Sequence, residues 1–100
     1  MRGFVSLRGR GDFARVRRRG KRIHTPSLAI YSLMRESGES RVGIVVGKAV
    51  GNAVVRNLVR RRLREALALG AGTRDLVIVA REGSRERSFA ELAAELAGAL

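Results

Sequence analysis

Lys48-Ala49-Val50-Gly51-Asn52-Ala53-Val54-Val55-Arg56-Asn57-Leu58-Val59-Arg60-Arg61-Arg62-Leu63-Arg64-Glu65 is the stretch that organises this chain. It passes from strand-like residues through a Gly51-Asn52 turn into a helix. Asn52 is of the N-cap type, because its side-chain oxygen can accept an N–H of the first turn. Val55, Val59, Leu63 and Ala66 recur at helical spacing and make one apolar face. Arg56, Arg60 and Arg64 stand at i, i+4 and i+8 and stack on another. Like charges at that spacing destabilise an isolated helix, and a polyanion laid along them removes the repulsion. The helix is expected over about Ala53–Leu69, with Gly70 or Gly72 as its stop. It packs on something apolar and offers arginine to phosphates.

The flanks of this helix read as strands. Val42-Gly43-Ile44-Val45-Val46 is β-branched. Leu76-Val77-Ile78-Val79-Ala80 is a short, wholly apolar run of the buried kind. Strand, helix and strand make a candidate βαβ crossover. Upstream, residues 21–34 read as strand interrupted by Thr25-Pro26, and Glu36 to Ser40 as a hairpin-type loop. Asp12 is placed to cap a short helix that ends near Arg19, with Gly20 as its stop. Residues 1–11 are basic and bear glycine, and read as a flexible arm or a plain tail. Ser88 and Glu91 form a capping box for a last helix, whose apolar face is Phe89, Leu92, Ala93, Leu96 and Leu100. The order α-β-β-β-α-β-α predicts an α+β fold, a mixed sheet covered by helices, in one domain over residues 1–100.

The net charge is +12, and it is unevenly placed. Residues 1–64 hold 17 basic and 3 acidic side chains, and residues 65–100 hold 4 basic and 6 acidic ones. A localised positive field points to nucleic acid or an anionic membrane surface. Nineteen of the 21 basic residues are arginine, which suits bidentate phosphate contact and base stacking, although codon bias also raises arginine over lysine. With no cysteine, there is no disulfide, zinc-thiolate site or thiol nucleophile. No apolar run approaches the roughly 20 residues of a membrane span. Met1-Arg2-Gly3-Phe4 does not open a signal peptide. A soluble, cytoplasmic protein without a membrane partner is expected.

Catalytic chemistry finds little material. His24 is the sole histidine, and no carboxylate pair stands at two-metal spacing. Gly47-Lys48-Ala49-Val50-Gly51 is not a phosphate-binding loop of the nucleotidase kind, because the lysine precedes the last glycine and no Ser or Thr follows it. No catalytic or metal-ligating residue is assigned. Binding is better supplied. No acid lies between Lys48 and Arg64, so the arginine face has no ion-pair partner of its own. Asn57 is a mediocre helix former set among arginines, as an RNA-orienting amide would be. Phe13 and Tyr31, two of only four aromatics, either frame a groove where unpaired bases stack or belong to the core. A structural RNA binder such as a ribosomal protein fits the same features. A DNA-binding module fits less well, since no helix-turn-helix spacing precedes the arginine helix.

Gly51-Asn52-Ala53-Val54-Val55-Arg56-Asn57, followed by Arg60-Arg61 and Arg64-Glu65, resembles the signature of the bacterial ribonuclease P protein subunit. Asp12-Phe13, Tyr31, and Arg41-Val42-Gly43-Ile44 ahead of Lys48 resemble further landmarks of that family in the same order. The resemblance covers about residues 8–100. It implies a two-layer α-β-β-β-α-β-α sandwich with a mixed four-stranded sheet and a left-handed βαβ crossover, similar to a ribosomal-protein domain 2-like fold. It implies a partner, the catalytic RNA subunit of ribonuclease P, which holds Mg²⁺ and removes the 5′ leader of precursor tRNA. Lys48, Arg56, Asn57, Arg60, Arg61 and Arg64 would then contact RNA, and Phe13, Arg17 and Tyr31 would line a cleft for the leader. Leu58 stands where the family commonly carries a basic residue, Arg62 where it carries an apolar one, and Arg17 where a second aromatic is frequent. Arg62 falls toward the apolar side, so its stem must snorkel. Arg17 shifts the cleft from stacking toward charge.

Overall fold

The computed structural model describes residues 4–7, 9–35, 38, 40–68 and 73–100. Its strands are β1 (Phe4–Ser6), β2 (Lys21–His24), β3 (Leu28–Met34), β4 (Ser40–Val46) and β5 (Arg74–Ala80), and its helices are α1 (Arg10–Arg19), α2 (Ala53–Leu67) and α3 (Phe89–Ala99). Single 3₁₀ turns at Lys48–Val50 and Glu82–Glu86 precede α2 and α3.

The sheet order is β1-β4-β5-β3-β2. The apolar run of residues 76–80 lies in the central strand, where both faces are covered, as its lack of alternation requires. β4 pairs with β5 in parallel, Val42 opposite Leu76 and Ile44 opposite Ile78, so α2 is the crossover between them. β3 pairs antiparallel with β5 on its other side, and β2 folds back on β3. The expected mixed four-stranded α+β sheet is thus present. A short fifth strand, β1, adds to its edge, parallel to β4 with Ser6 opposite Val42.

Period-two alternation sends neighbouring strand residues to opposite faces. Leu28, Ile30, Val42, Val46, Leu76 and Ile78 face α2 and α3, where they meet Val59, Leu63, Leu67, Leu92 and Leu96. Ala29, Tyr31 and Val77 face α1, where Val16 and Leu7 are buried with them. Sheet and α2/α3 form the two main layers, and α1 alone sits on the opposite face. Full burial of a side chain such as Leu63 or Leu92 contributes about 1.5–3 kcal/mol.

Two expectations need correction, and a third falls partly outside the described residues. The free arm over residues 1–11 is structured where described: β1 pairs with β4, Leu7 is buried, and its N–H donates to the Val42 carbonyl at 2.8 Å. Residues 1–3 and 8 lie outside the described residues. Helix α1 begins at Arg10 after Gly9, whose φ of 83° favours glycine, rather than at a cap on Asp12. Asp12 sits within the first turn and pairs with Arg15 one turn on, at 3.1 Å. Helix α2 ends at Leu67 with Ala68 as its cap; the expected stop at Gly70 or Gly72, and Glu36, Ser37 and Glu39 of the hairpin loop, lie outside the described residues. The other two predicted N-caps are present. The Asn52 Oδ1 accepts the Val55 N–H at 3.0 Å, and Ser88 and Glu91 close a full capping box.

Candidate nucleic-acid interface

The arginine helix is positioned from both ends. Gly51 carries φ 156°, and a Cβ there would stand 2.8 Å from the Val55 side chain, so the chain turns sharply into α2 only with glycine. Val50 just before it is buried and anchors the turn. At the other end Arg62 does snorkel. It is half-buried, and its Nη1 donates to the Arg87 carbonyl at 2.8 Å, tying α2 to the segment that leads into α3.

With about 100° between successive residues, the buried stripe is Val59, Leu63, Ala66 and Leu67. Arg56, Arg60 and Arg64 climb out of it along one flank. Arg56 is half-buried, and its Nε has no hydrogen-bond partner among the described residues. Arg60 is half-buried and donates its Nη1 to the Asn57 Oδ1 at 3.1 Å. Arg61 and Arg64 are exposed, as is Lys48 in the turn ahead of the helix. Asn57 therefore acts within the row by holding the guanidinium of Arg60.

None of these five cations pairs with a carboxylate among the described residues. Four acids, Asp12, Asp75, Glu91 and Glu95, are engaged elsewhere. Asp75 is 2% exposed and binds Arg41 through both guanidinium arms, Nε to Oδ1 at 2.9 Å and Nη2 to Oδ2 at 2.6 Å. Arg15 donates to it at 2.9 Å, and Arg35 approaches to 3.5 Å. Burial pushes the Asp75 carboxyl up, but the bonds and charges of Arg41, Arg15 and Arg35 outweigh it, and the carboxyl lies below its ordinary range. The same contact raises Arg41. Glu95 accepts from the hydroxyls of Thr25 and Ser27 and the N–H of Ser27, which hold its carboxyl down against burial.

The second predicted set divides. Phe13 is half-buried and lies against Gly43, where any Cβ would collide with its ring. It lines two hollows. One, with Gly9, Arg10, Ala14 and Arg17, measures about 480 Å³. The other, about 170 Å³, lies where β1 stops covering β4, and it brings Phe13, Gly43 and Ile44 together with Arg64 of the helix row. The two predicted site groups therefore meet at the β4 edge. Tyr31 is not an open platform. It is 7% exposed, with the guanidiniums of Arg17 and Arg22 over its ring at 5.3 and 5.7 Å. Arg22 was not among the expected site residues. The signal for it is register, because it stands directly opposite Tyr31 across the β2–β3 pair.

Such an array has the chemistry to bind a phosphate and orient it. Among the described residues, no three His, Asp or Glu side chains gather as a metal would need, and no helix is long and apolar enough to cross a membrane.

Comparison with known proteins agrees with this geometry. The sequence profile of the family described as Ribonuclease P matches residues 1–100. The ribonuclease P protein component of Gluconacetobacter diazotrophicus is 41% identical over 96 residues, spanning 90% of this chain and 83% of the relative. The solved ribonuclease P protein of Thermotoga maritima superposes with a TM-score of 0.83 at 26% identity, covering 95% of this chain and 94% of the other. The Staphylococcus aureus ribonuclease P protein shares the fold with a TM-score of 0.84 at 24% identity, covering 94% and 90%. By sequence, fold and the composition of its arginine helix, the chain belongs to the ribonuclease P protein family.

Proposed function

We propose that the chain is the protein subunit of a ribonuclease P ribonucleoprotein. It binds the catalytic RNA and the 5′ leader of precursor tRNA, and so promotes the endonucleolytic cut that makes the mature 5′ end. One observation carries this reading: Lys48, Arg56, Arg60, Arg61 and Arg64 lack a carboxylate partner among the described residues, while Arg15, Arg35, Arg41 and Arg87 are paired. Unpaired guanidiniums in a row are costly to a helix and useful to a polyanion.

Lys48, Arg56, Asn57, Arg60, Arg61 and Arg64 are assigned to RNA contact. Phe13, Arg17 and Tyr31 are assigned to the leader cleft, with Arg22 added. In that cleft the guanidiniums of Arg17 and Arg22 meet the leader first, and Tyr31 supports them from beneath. Hydrolysis and the Mg²⁺ ions it uses belong to the RNA subunit. The acids fit this division, since Asp12, Asp75, Glu91 and Glu95 are already bound by arginine, hydroxyl or backbone groups, and Glu65, Glu82 and Glu86 are exposed surface side chains. The complex works in the cytoplasm.

The test is reconstitution. Protein alone leaves precursor tRNA intact. Added to the cognate catalytic RNA at low Mg²⁺, it raises the rate of leader removal. An RNA whose cleavage is the same with and without the protein removes this reading.

A further inference from the structure

One part of α2 is not explained by phosphate contact. Val54 and Leu58, one turn apart, line an open hollow of about 420 Å³ together with Asn57 and Arg61. Val54 is 78% exposed, the highest value among the described large hydrophobic side chains. On the helix these two residues fall beside Arg61 and away from the Arg56–Arg60–Arg64 row. An apolar pair inside an arginine-rich face has no use for a phosphate, which stays hydrated.

The chemistry of Asn57 and Arg61 narrows the occupant. The Asn57 Oδ1 already accepts from Arg60, so its amide meets a ligand chiefly through its NH₂. Arg61 offers only donors. Glu65, one turn beyond Arg61, is exposed and forms no ion pair with it. A ligand suited to this site has a flat apolar face and an edge of adjacent acceptors. Guanine has both, with O6 and N7 side by side, whereas adenine places a donor next to N7. A second copy of this chain is a poor occupant, because a net charge of +12 and the flanking arginines repel it. We propose that Val54, Asn57, Leu58 and Arg61 form a binding site for a single unstacked guanine of the RNA partner. Its face lies on Val54 and Leu58, and its O6/N7 edge meets Arg61 and Asn57. This rests on α2 being the RNA-binding helix, and it gives that helix a base-reading element beside its phosphate row.

The experiment uses the full chain and transcribed ribonuclease P catalytic RNA sparsely substituted with 7-deazaguanosine, which lacks the N7 acceptor. Binding of the wild type, Leu58→Ser, Val54→Ser, Arg61→Gln and Arg60→Ala is followed across a salt series, with circular dichroism as the folding check. Leu58→Ser is expected to weaken binding roughly tenfold without changing the salt slope. One guanosine position should show interference with the wild type and none with Leu58→Ser or Arg61→Gln. Wild-type binding by both serine variants, or an absence of any such position, overturns the site. So does self-association of the free protein that Leu58→Ser abolishes, which would make a second copy the occupant. Arg60→Ala separates the two levels. If it weakens binding with a flatter slope while Leu58→Ser is neutral, only the guanine site fails; if it too is neutral, the RNA-binding reading of α2 fails first.

Discussion

Asp75 lies beneath three guanidiniums from three parts of the chain, Arg15 of α1, Arg35 after β3, and Arg41 of β4. It is the main polar fastening of α1 to the sheet, and α1 carries Phe13 and Arg17. Its position on β5 follows from alternation, since Leu76 and Ile78 face α2 and residue 75 faces α1. Breaking a buried pair costs about 3–5 kcal/mol. Here the arginines keep 29% to 33% of their side chains exposed, so water screens part of that. Asp75→Asn should therefore destabilise by about 2 kcal/mol in urea unfolding at pH 7. The pH dependence has a definite sign. A carboxyl lowered on folding stabilises the native state above its unfolded value of about 3.9 and loses that contribution as pH falls toward its folded value. Wild-type stability should thus fall below about pH 4 more steeply than that of Asp75→Asn. Parallel acid limbs in the two proteins would show that the carboxylate is not the fastening.

At the scale of the element, α2 carries two opposing demands. Stacked arginines each cost the helix a few tenths of a kcal/mol. The burial of Val59, Leu63 and Leu67 and the Asn52 cap offset that. Asn52→Ala should remove about 1 kcal/mol, a lowering of Tm by about 4–8 °C for a domain of this size. Saturating catalytic RNA should recover most of the difference, because bound phosphate holds the first turn in place. A Tm unaffected by the substitution would mean the cap contributes nothing. The caps and periods of α2 and α3 were legible because they are local, with Asn52 and Ser88 each followed within a turn by the groups they bind. Helix α1 was less legible. Asp12 has the side chain of a cap, yet Gly9 opens the helix and Asp12 turns to Arg15. Strand β1 was not legible at all. Three residues gain strand geometry only by pairing with β4, and that partner lies more than thirty residues away. Tyr31 was left open between core and cleft. It is buried as core, yet two arginines from α1 and β2 cover it, a juxtaposition that depends on how those elements pack.

Over the whole molecule, folding sets two groups of cations apart, which the sequence lists without distinction. Arg15, Arg35, Arg41 and Arg87 are ion-paired, and the first three hold one face of the sheet together. Lys48, Arg56, Arg60, Arg61 and Arg64 have no carboxylate partner among the described residues and form the field proposed to meet a polyanion. Of these two groups, only the second should release counterions from the catalytic RNA. Each phosphate contact adds roughly −0.9 to the slope of log K against log salt for a duplex and −0.7 for a single strand. Arg60→Ala should therefore flatten the slope for catalytic RNA by about 0.7–0.9 while changing stability little. Arg87→Ala removes an arginine that is paired with Glu91 and Glu95 on the α3 side. It should leave the slope unchanged and show its effect in unfolding instead. Both variants lower the net charge equally, so a general dependence on net charge predicts equal changes in slope. Equal slopes would mean that the field of the whole chain, rather than the unpaired row on α2, governs binding.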